Sequence, residues 1–351
     1  SPIRKLGFTN QLNFRVQNTS KTNEESVSIQ LKSSEVKRSV SIDISGEGSS
    51  VGSISFTDKN IGIHHCELFV QDKHVKFDDV FYFSYHIKPS LNIAIVHGKE
   101  ASKRSENLFK IDTLNKIYST TEGQISQSEI NNNNLLILNE LNNITSGLIS
   151  TVKSFIKQGG TVLILPSNDI NLNSYNSLLS EYNMPVFLPK SGAKKLTDIN
   201  YDLPFYNQVF TKKNALVSLP KINEHYPFKA FSNSQFNSLL SFENNKLFFI
   251  QSNNKNTPIY VAGSSANPNA GGFGSHALFS TILLRISEQS YSKNPIYLTP
   301  SNDHVVRVTD PTRNEEIVKI KSISDQNEFI PYQQKSGQSI EIFMSKSEQN
   351  I

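Results

Sequence analysis

The stretch Leu91-Asn92-Ile93-Ala94-Ile95-Val96-His97-Gly98-Lys99 decides the fold. Leu91 to Val96 is almost continuously apolar, the pattern of a strand buried on both faces of a parallel sheet; a strand with one wet face would alternate. His97-Gly98-Lys99 ends it. From Arg104 to Tyr118, the residues Leu108, Ile111, Leu114 and Tyr118 recur at helical spacing. Leu135 to Leu138 reads as the next buried strand. Thr145 or Ser146 then caps a helix with Leu148, Val152, Phe155 and Ile156 on one stripe, and Gly159-Gly160 stops it. Val162 to Leu165 follows as a further strand. Strands alternating with helices predict right-handed crossovers and a doubly wound sheet.

Upstream the period changes to two. Leu12, Phe14 and Val16, then Val27, Ile29 and Leu31, then Val40, Ile42 and Ile44, then Ile54 and Phe56 alternate with polar residues between Asn, Ser and Gly turns. This is the mark of antiparallel strands with one buried face. Two more strands, near Gly62 to Gln71 and Phe81 to Ile87, complete an immunoglobulin-like sandwich, with Lys76-Phe77-Asp78-Asp79 as a turn between them. The pattern breaks at Lys88-Pro89-Ser90.

Downstream, residues 185–245 have weak periodicity and read as an irregular insertion or a β-rich excursion. Lys246 to Gln251 and Pro258 to Ala262 restore strands, and a Gly-rich stretch to Gly274 leads into an apolar helix from Ser275 to about Glu288. After Pro295, Val305, Val306 and Val308, then Ile317, Val318 and Ile320, return to strand character. The division expected is therefore 1–88 for the β-sandwich, 89–294 for the α/β domain, and 295–351 for an incomplete C-terminal β segment.

Composition narrows the function classes. Lys and Arg number 35 against 31 Asp and Glu, a formal charge of +4 without long basic runs, so the phosphate-tracking stripe of a nucleic-acid binder is absent. The one cysteine, Cys66, rules out an intrachain disulfide, a CxxC redox pair and a multi-cysteine zinc site. No run reaches the roughly 18–20 apolar residues of a membrane span, and no charged-then-apolar leader opens the chain. The start at Ser1-Pro2 reads as that of an excised fragment.

The alternation over residues 91–165 resembles the class I glutamine amidotransferase-like folds. An ordered set of short motifs resembles the Bacteroidetes BatA-like proteins, aerotolerance-related and carrying an N-terminal double transmembrane segment. These motifs are Ser1-Pro2-Ile3-Arg4, Phe77-Asp78-Asp79 before Phe81-Tyr82-Phe83-Ser84, Leu138-Asn139-Glu140-Leu141, and His276-Ala277-Leu278-Phe279 before Leu284-Arg285-Ile286. The resemblance implies a membrane-anchored envelope protein whose soluble part faces the periplasm. It implies envelope partners, among them Bat proteins with von Willebrand factor A domains, and membrane contact only through segments absent from this chain. Such a domain would need a DxSxS metal motif. Asp43-Ile44-Ser45-Gly46-Glu47 breaks that pattern at its last position and reads as a strand entering a Gly turn.

An amidotransferase needs a nucleophile on a strained strand-to-helix turn, with a histidine to activate it. Cys66 lies upstream of the α/β domain, and Pro166-Ser167-Asn168 lacks the flanking glycines of a sharp elbow. No catalytic residue is therefore assigned. Asn139, Glu140, Ser167 and His276 fall where strands of an open α/β sheet end, and together they form the candidate cleft. The plainer reading has Glu140 capping a helix or pairing with a lysine, and His276 satisfying backbone groups at a helix start.

Gly271-Gly272-Phe273-Gly274 matches neither GxGxxG nor GxxxxGK[ST], so no nucleotide cofactor is expected. His64 and Cys66 share one face of a strand while His65 points away, and two ligands do not make a metal site. Asp169-Ile170-Asn171-Leu172-Asn173 lacks the Gly and Glu of a calcium loop and reads as helix capping. No cofactor or metal is expected. The leading expectation is a non-catalytic periplasmic scaffold or protein-interaction module. The rivals are a hydrolase or amidase using Ser167, or a water near Glu140 and His276, and a carbohydrate-binding module stacking sugars on the aromatics of Tyr201 to Phe231.

Overall fold

The computed structural model describes residues 6–7, 9–71, 79–87, 90–207, 209–210, 218–254, 258–290, 296–297, 304–309, 317–322, 326–336 and 339–344. Contacts divide the chain into two units, Ser1–Pro89 with Ser292–Ile351, and Ser90–Tyr291. The C-terminal residues, expected as a segment of their own, thus group with the N-terminal strands. Ser1 to Arg4, Lys76 to Asp78, and Lys88-Pro89 lie outside the described residues.

In the first unit the alternating runs form β1 (Thr9–Gln17), β2 (Glu24–Ser33), β3 (Lys37–Ile44), β4 (Ser49–Thr57), β5 (Gly62–Val70) and β6 (Val80–Ile87). β1 pairs antiparallel with β4, and the order β3-β2-β5-β6 makes a second, four-stranded antiparallel sheet. Period two places Ile29 and Leu31 of β2, Ile54 and Phe56 of β4, Cys66 of β5, and Phe83, Tyr85 and Ile87 of β6 in one shared core. His64 and Cys66 lie on the buried face of β5 and His65 on the exposed face. Burial pushes the Cys66 thiol up to about 11, so it stays protonated. Ile296 returns to the free edge of β6, where its carbonyl accepts from Ser84 N at 2.8 Å and Tyr297 meets Phe81 edge-on at 4.7 Å.

In the second unit the strands and helices are β7 (Asn92–His97), α1 (Arg104–Lys110), β8 (Lys116–Thr121), α2 (Gln127–Asn131), β9 (Leu135–Leu141), α3 (Ser146–Lys157), β10 (Thr161–Pro166) and α4 (Leu172–Glu181). They continue as β11 (Val186–Phe187), β12 (Lys194–Ile199), β13 (Lys221–Ile222), β14 (Phe228–Lys229), β15 (Phe236–Phe242), β16 (Lys246–Ser252), β17 (Ile259–Ala262) and α5 (Ala277–Gln289). The last strands, in the first unit, are β18 (His304–Thr309), β19 (Ile320–Lys321), β20 (Glu328–Phe329), β21 (Tyr332–Ser336) and β22 (Ser339–Met344). There β22 joins β18 and β21 antiparallel, and β19 pairs with β20.

The large sheet of the second unit has nine strands in the order β13-β12-β15-β16-β17-β10-β9-β7-β8. From β8 to β17 neighbours are parallel, and from β17 outward they are antiparallel. Ile93 and Ile95 pack with Phe109 of α1 and Ile282 of α5, while Ala94 and Val96 pack with Ile130 of α2, Val152 of α3 and Leu178 of α4. Both faces of the sheet are covered, which is why β7, β9 and β10 read as continuous apolar runs. Among residues 185–245 the described ones add β11 to β15, linked by irregular stretches.

Two expected boundaries change. The helix foreseen from Arg104 to Tyr118 stops at Lys110, and Tyr118 lies on β8. The apparent stripe fails because Ile111 and Leu114 are 77% and 50% exposed, and the Asp112 side chain accepts from Leu114 N at 3.1 Å in a local turn. The last helix of this unit, expected from Ser275, begins at Ala277 and is capped by His276, whose Nδ1 accepts from Leu278 N. Thr145 caps α3 and Asn171 caps α4, as their positions led one to expect.

Candidate functional site

The strand order places the site. The chain leaves β7 through α1 on one face for β8, then returns past β7 to β9 and leaves through α3 on the opposite face. The connections diverge between the carboxyl ends of β7 and β9, and such a switch point opens a crevice in an α/β sheet. His97 ends β7, and Asn139 and Glu140 lie near the end of β9.

His97 is built into a row. Its Nε2 lies 3.0 Å from Glu106 Oε2, which also accepts from Ser119 Oγ at 3.3 Å, while Glu106 Oε1 pairs with Lys110 Nζ. Facing an anion, Nε2 carries the proton, which leaves Nδ1 to accept from Asn139 Nδ2 at 3.0 Å. The same amide donates to Ser102 O at 2.8 Å, and its oxygen receives Ser105 Oγ at 3.5 Å. A carboxylate thus orients the imidazole as in a triad, but the far nitrogen meets an amide where a nucleophile would need to be.

Glu140 is buried and has φ of 55°, the left-handed region that costs a side-chain-bearing residue about 1–2 kcal/mol. Its Oε2 accepts from Ser102 N at 2.6 Å, and its Oε1 from Ser265 Oγ at 2.5 Å. Ser265 Oγ in turn accepts from Asn267 N at 2.8 Å. One carboxylate therefore ties the loops after β7 and β17 to the end of β9. The expected helix-capping or lysine-paired role of Glu140 does not hold, because burial at the switch point gives it a hydroxyl and a backbone donor. Gly98 makes the close approach possible, since a Cβ there would fall 1.9 Å from Glu140 O.

Of the four expected cleft residues, Asn139 and Glu140 stand together at this point. Ser167 belongs to a local turn: its Oγ accepts from Asp169 N at 3.2 Å and from Asn142 Nδ2 at 3.3 Å. His276 Nε2 donates to Ser218 O at 2.7 Å, and its Nδ1 caps α5. Neither set of partners includes a member of the His97 row. His97 and Glu106 were not singled out from the sequence; the signal that could have found them was a histidine closing the first parallel strand with an acid nine residues on. Most of the aromatics expected to stack on sugars turn inward: Phe205, Tyr206 and Tyr226 are buried, and Tyr201 packs against Tyr206 and Phe210, while Phe231 alone of the described ones is exposed, with Lys229 Nζ over its ring.

Burial holds the His97 imidazole below the ordinary histidine value, against the pull of Glu106. For Glu106 burial pushes upward, but Lys110 and His97 together hold its carboxyl below the ordinary value. His225, whose Nδ1 donates to Gly192 O at 2.9 Å, is also lowered by burial. The unfolded chain binds protons at these histidines from about pH 6.5 downward while the folded chain does not. Stability is therefore full above about pH 6.5 and falls as pH drops toward the lowered folded values. Urea midpoints at pH 7.5 and 5.5 should show this fall in the wild type and a smaller fall in His97→Gln and His225→Gln. An unchanged pH difference in both variants would refute the assignment. The stability contributed by Glu106 is lost in a separate window, below about pH 4.5.

No protein-family model matches the chain, and no curated protein matches it. Among solved structures, a cytoplasmic protein from Salmonella typhimurium is similar over 65% of this chain and 95% of its own, with 13% identity and a TM-score of 0.43. A ThuA-like protein from Bacteroides uniformis is similar over 60% and 94%, with 12% identity and a TM-score of 0.43. A GMP synthase protein from Thermoplasma acidophilum is similar over 57% and 93%, with 14% identity and a TM-score of 0.36. Likeness at this level says nothing of this chain's chemistry. Among the described residues no helix is long and apolar enough to cross a membrane.

Proposed function

We propose that this chain is a non-catalytic interaction module, the periplasmic scaffold part of a membrane-anchored envelope protein akin to the BatA-like family. In this reading the second unit is an amidotransferase-like domain without a working nucleophile, and the first is an immunoglobulin-like sandwich. The observation that carries it is that the polar side chains gathered at the sheet edge already have partners within the chain. His97 spends both nitrogens on Glu106 and Asn139, Glu140 spends both oxygens on Ser102 and Ser265, and Ser167 closes its own turn. General-base catalysis needs an imidazole within hydrogen-bond reach of the proton it removes, about 2.6–3.2 Å. The sole cysteine supports the same reading, being buried in the other unit.

The partners are envelope proteins, among them Bat proteins with von Willebrand factor A domains. Capture of the full-length anchored protein from its own cells should recover the same envelope partners in replicate preparations. In spheroplasts this region should be open to added protease. Recovery of no reproducible partner, protection on the cytoplasmic side, or a hydrolytic activity abolished by Ser167→Ala would each overturn the proposal.

A further inference from the structure

A second cluster of chemistry-bearing side chains lies in the first unit. Among the described residues Glu35, between β2 and β3, Asp58, just after β4, and His64 on β5 bring one ligand atom each to within 4.8 Å of one another. Asp58 and His64 are buried, while Glu35 is exposed.

His64 sets the chemistry. Its Nε2 lies 2.9 Å from Asn60 O, a carbonyl that can only accept, so Nε2 carries a proton, and in the neutral tautomer this selects Nδ1 presents a bare lone pair. That nitrogen belongs to a side chain 3% exposed, has no hydrogen-bond partner, and faces Asp58 Oδ1 at 3.6 Å. A lone pair turned toward a carboxylate is unfavourable unless something positive lies between them. A proton on Nδ1 would draw the two atoms to about 2.7–2.9 Å. Two ligands about 2.0–2.2 Å from one tetrahedral zinc ion stand roughly 3.3–3.6 Å apart, and the 3.6 Å found falls at the upper end of that range.

The surroundings hold the donors in place, as supporting shells of metal sites do. Asp58 Oδ1 accepts from Tyr85 Oη at 2.9 Å and its Oδ2 from Asn10 Nδ2 at 3.1 Å. Tyr85 also stacks on the His64 ring, with centroids 5.5 Å apart. Glu35 is steered by Lys59 N at 3.0 Å and by Asn60 Nδ2. Asn10, 1% exposed, adds a second buried oxygen without a partner, its Oδ1. We infer that Glu35, Asp58 and His64 form a binding site for a divalent transition cation of the zinc class, with water completing the shell on the exposed Glu35 side. The ion would pin the β2–β3 turn and the β4–β5 loop to β5, a cross-link in a chain whose single cysteine forms no internal disulfide.

The test uses tag-free full chain stripped with a chelator and titrated with zinc chloride by calorimetry. One zinc per chain should bind, and the first unfolding transition should rise by roughly 5–10 °C at about 100 times the dissociation constant. Zinc-edge X-ray absorption should show one imidazole nitrogen among oxygen neighbours at about 2.0–2.2 Å. Glu35→Gln, at an exposed position that leaves the fold intact by circular dichroism, should weaken zinc binding at least about 10-fold. His64→Gln should remove it. Absence of stoichiometric uptake, unchanged affinity in Glu35→Gln, a shell without imidazole, or binding of calcium in place of zinc would each overturn the inference.

Discussion

Gly98→Ala should lower the thermal midpoint of the α/β unit by roughly 6–12 °C, the effect of about 3 kcal/mol on a unit of this size. The added methyl would stand 1.9 Å from Glu140 O and 2.8 Å from Glu140 C. Both are backbone atoms of a residue fixed by its own buried carboxylate, so neither can swing aside as the tip of a flexible side chain would. Relief requires β7 and the end of β9 to separate, and Gly98 N is bonded to Asn139 O at 2.9 Å across that same gap. Gly147→Ala is the control: nothing lies within 4 Å of its added methyl, and it sits within α3, where alanine is favoured. Its midpoint should stay level or rise slightly. Equal midpoints for Gly98→Ala and wild type by scanning calorimetry would show that the strand ends are looser than their spacing implies.

Glu140→Ala should cost about 3 kcal/mol, because it strands the buried Ser265 hydroxyl and the part-buried Ser102 N–H. Glu140→Gly loses the same hydrogen bonds but frees the left-handed backbone, so it should be milder than alanine by about 1 kcal/mol. Glu140→Gln keeps the shape and one acceptor and should fall between wild type and glycine. Urea melts of the three variants give the order directly. A glycine variant as damaged as the alanine one would mean that φ of 55° carries no strain here.

How much of this could be read from the sequence follows from burial. β7, β9 and β10 were legible because a strand covered on both faces must be apolar at every position, and the six N-terminal strands because one covered face imposes a period of two. The stretch Lys110 to Tyr118 misled because Leu108, Ile111, Leu114 and Tyr118 fall at helical spacing, although Ile111 and Leu114 face water and a strand begins at Lys116. Asn139 and Glu140 were legible as residues at a strand end. Their partners were not, since Ser265 meets Glu140 only after the strand order of a nine-stranded sheet is known. Ser167 and His276 shared the sheet-edge position in the sequence, but side-chain direction turned each into a local turn or cap.

The grouping of Ser292–Ile351 with Ser1–Pro89 makes the whole α/β unit an insertion within its neighbour. During synthesis β6 emerges early, yet Ile296, whose carbonyl meets Ser84 N on its open edge, emerges only after β7 to α5 are complete. For that interval the edge presents unpaired backbone groups, the kind of template on which another chain can add a strand. A ribosome stalled before Ile296 would therefore hold a nascent chain with that edge uncovered at Ser84, whereas one stalled well beyond it would hold a chain able to occupy that position itself.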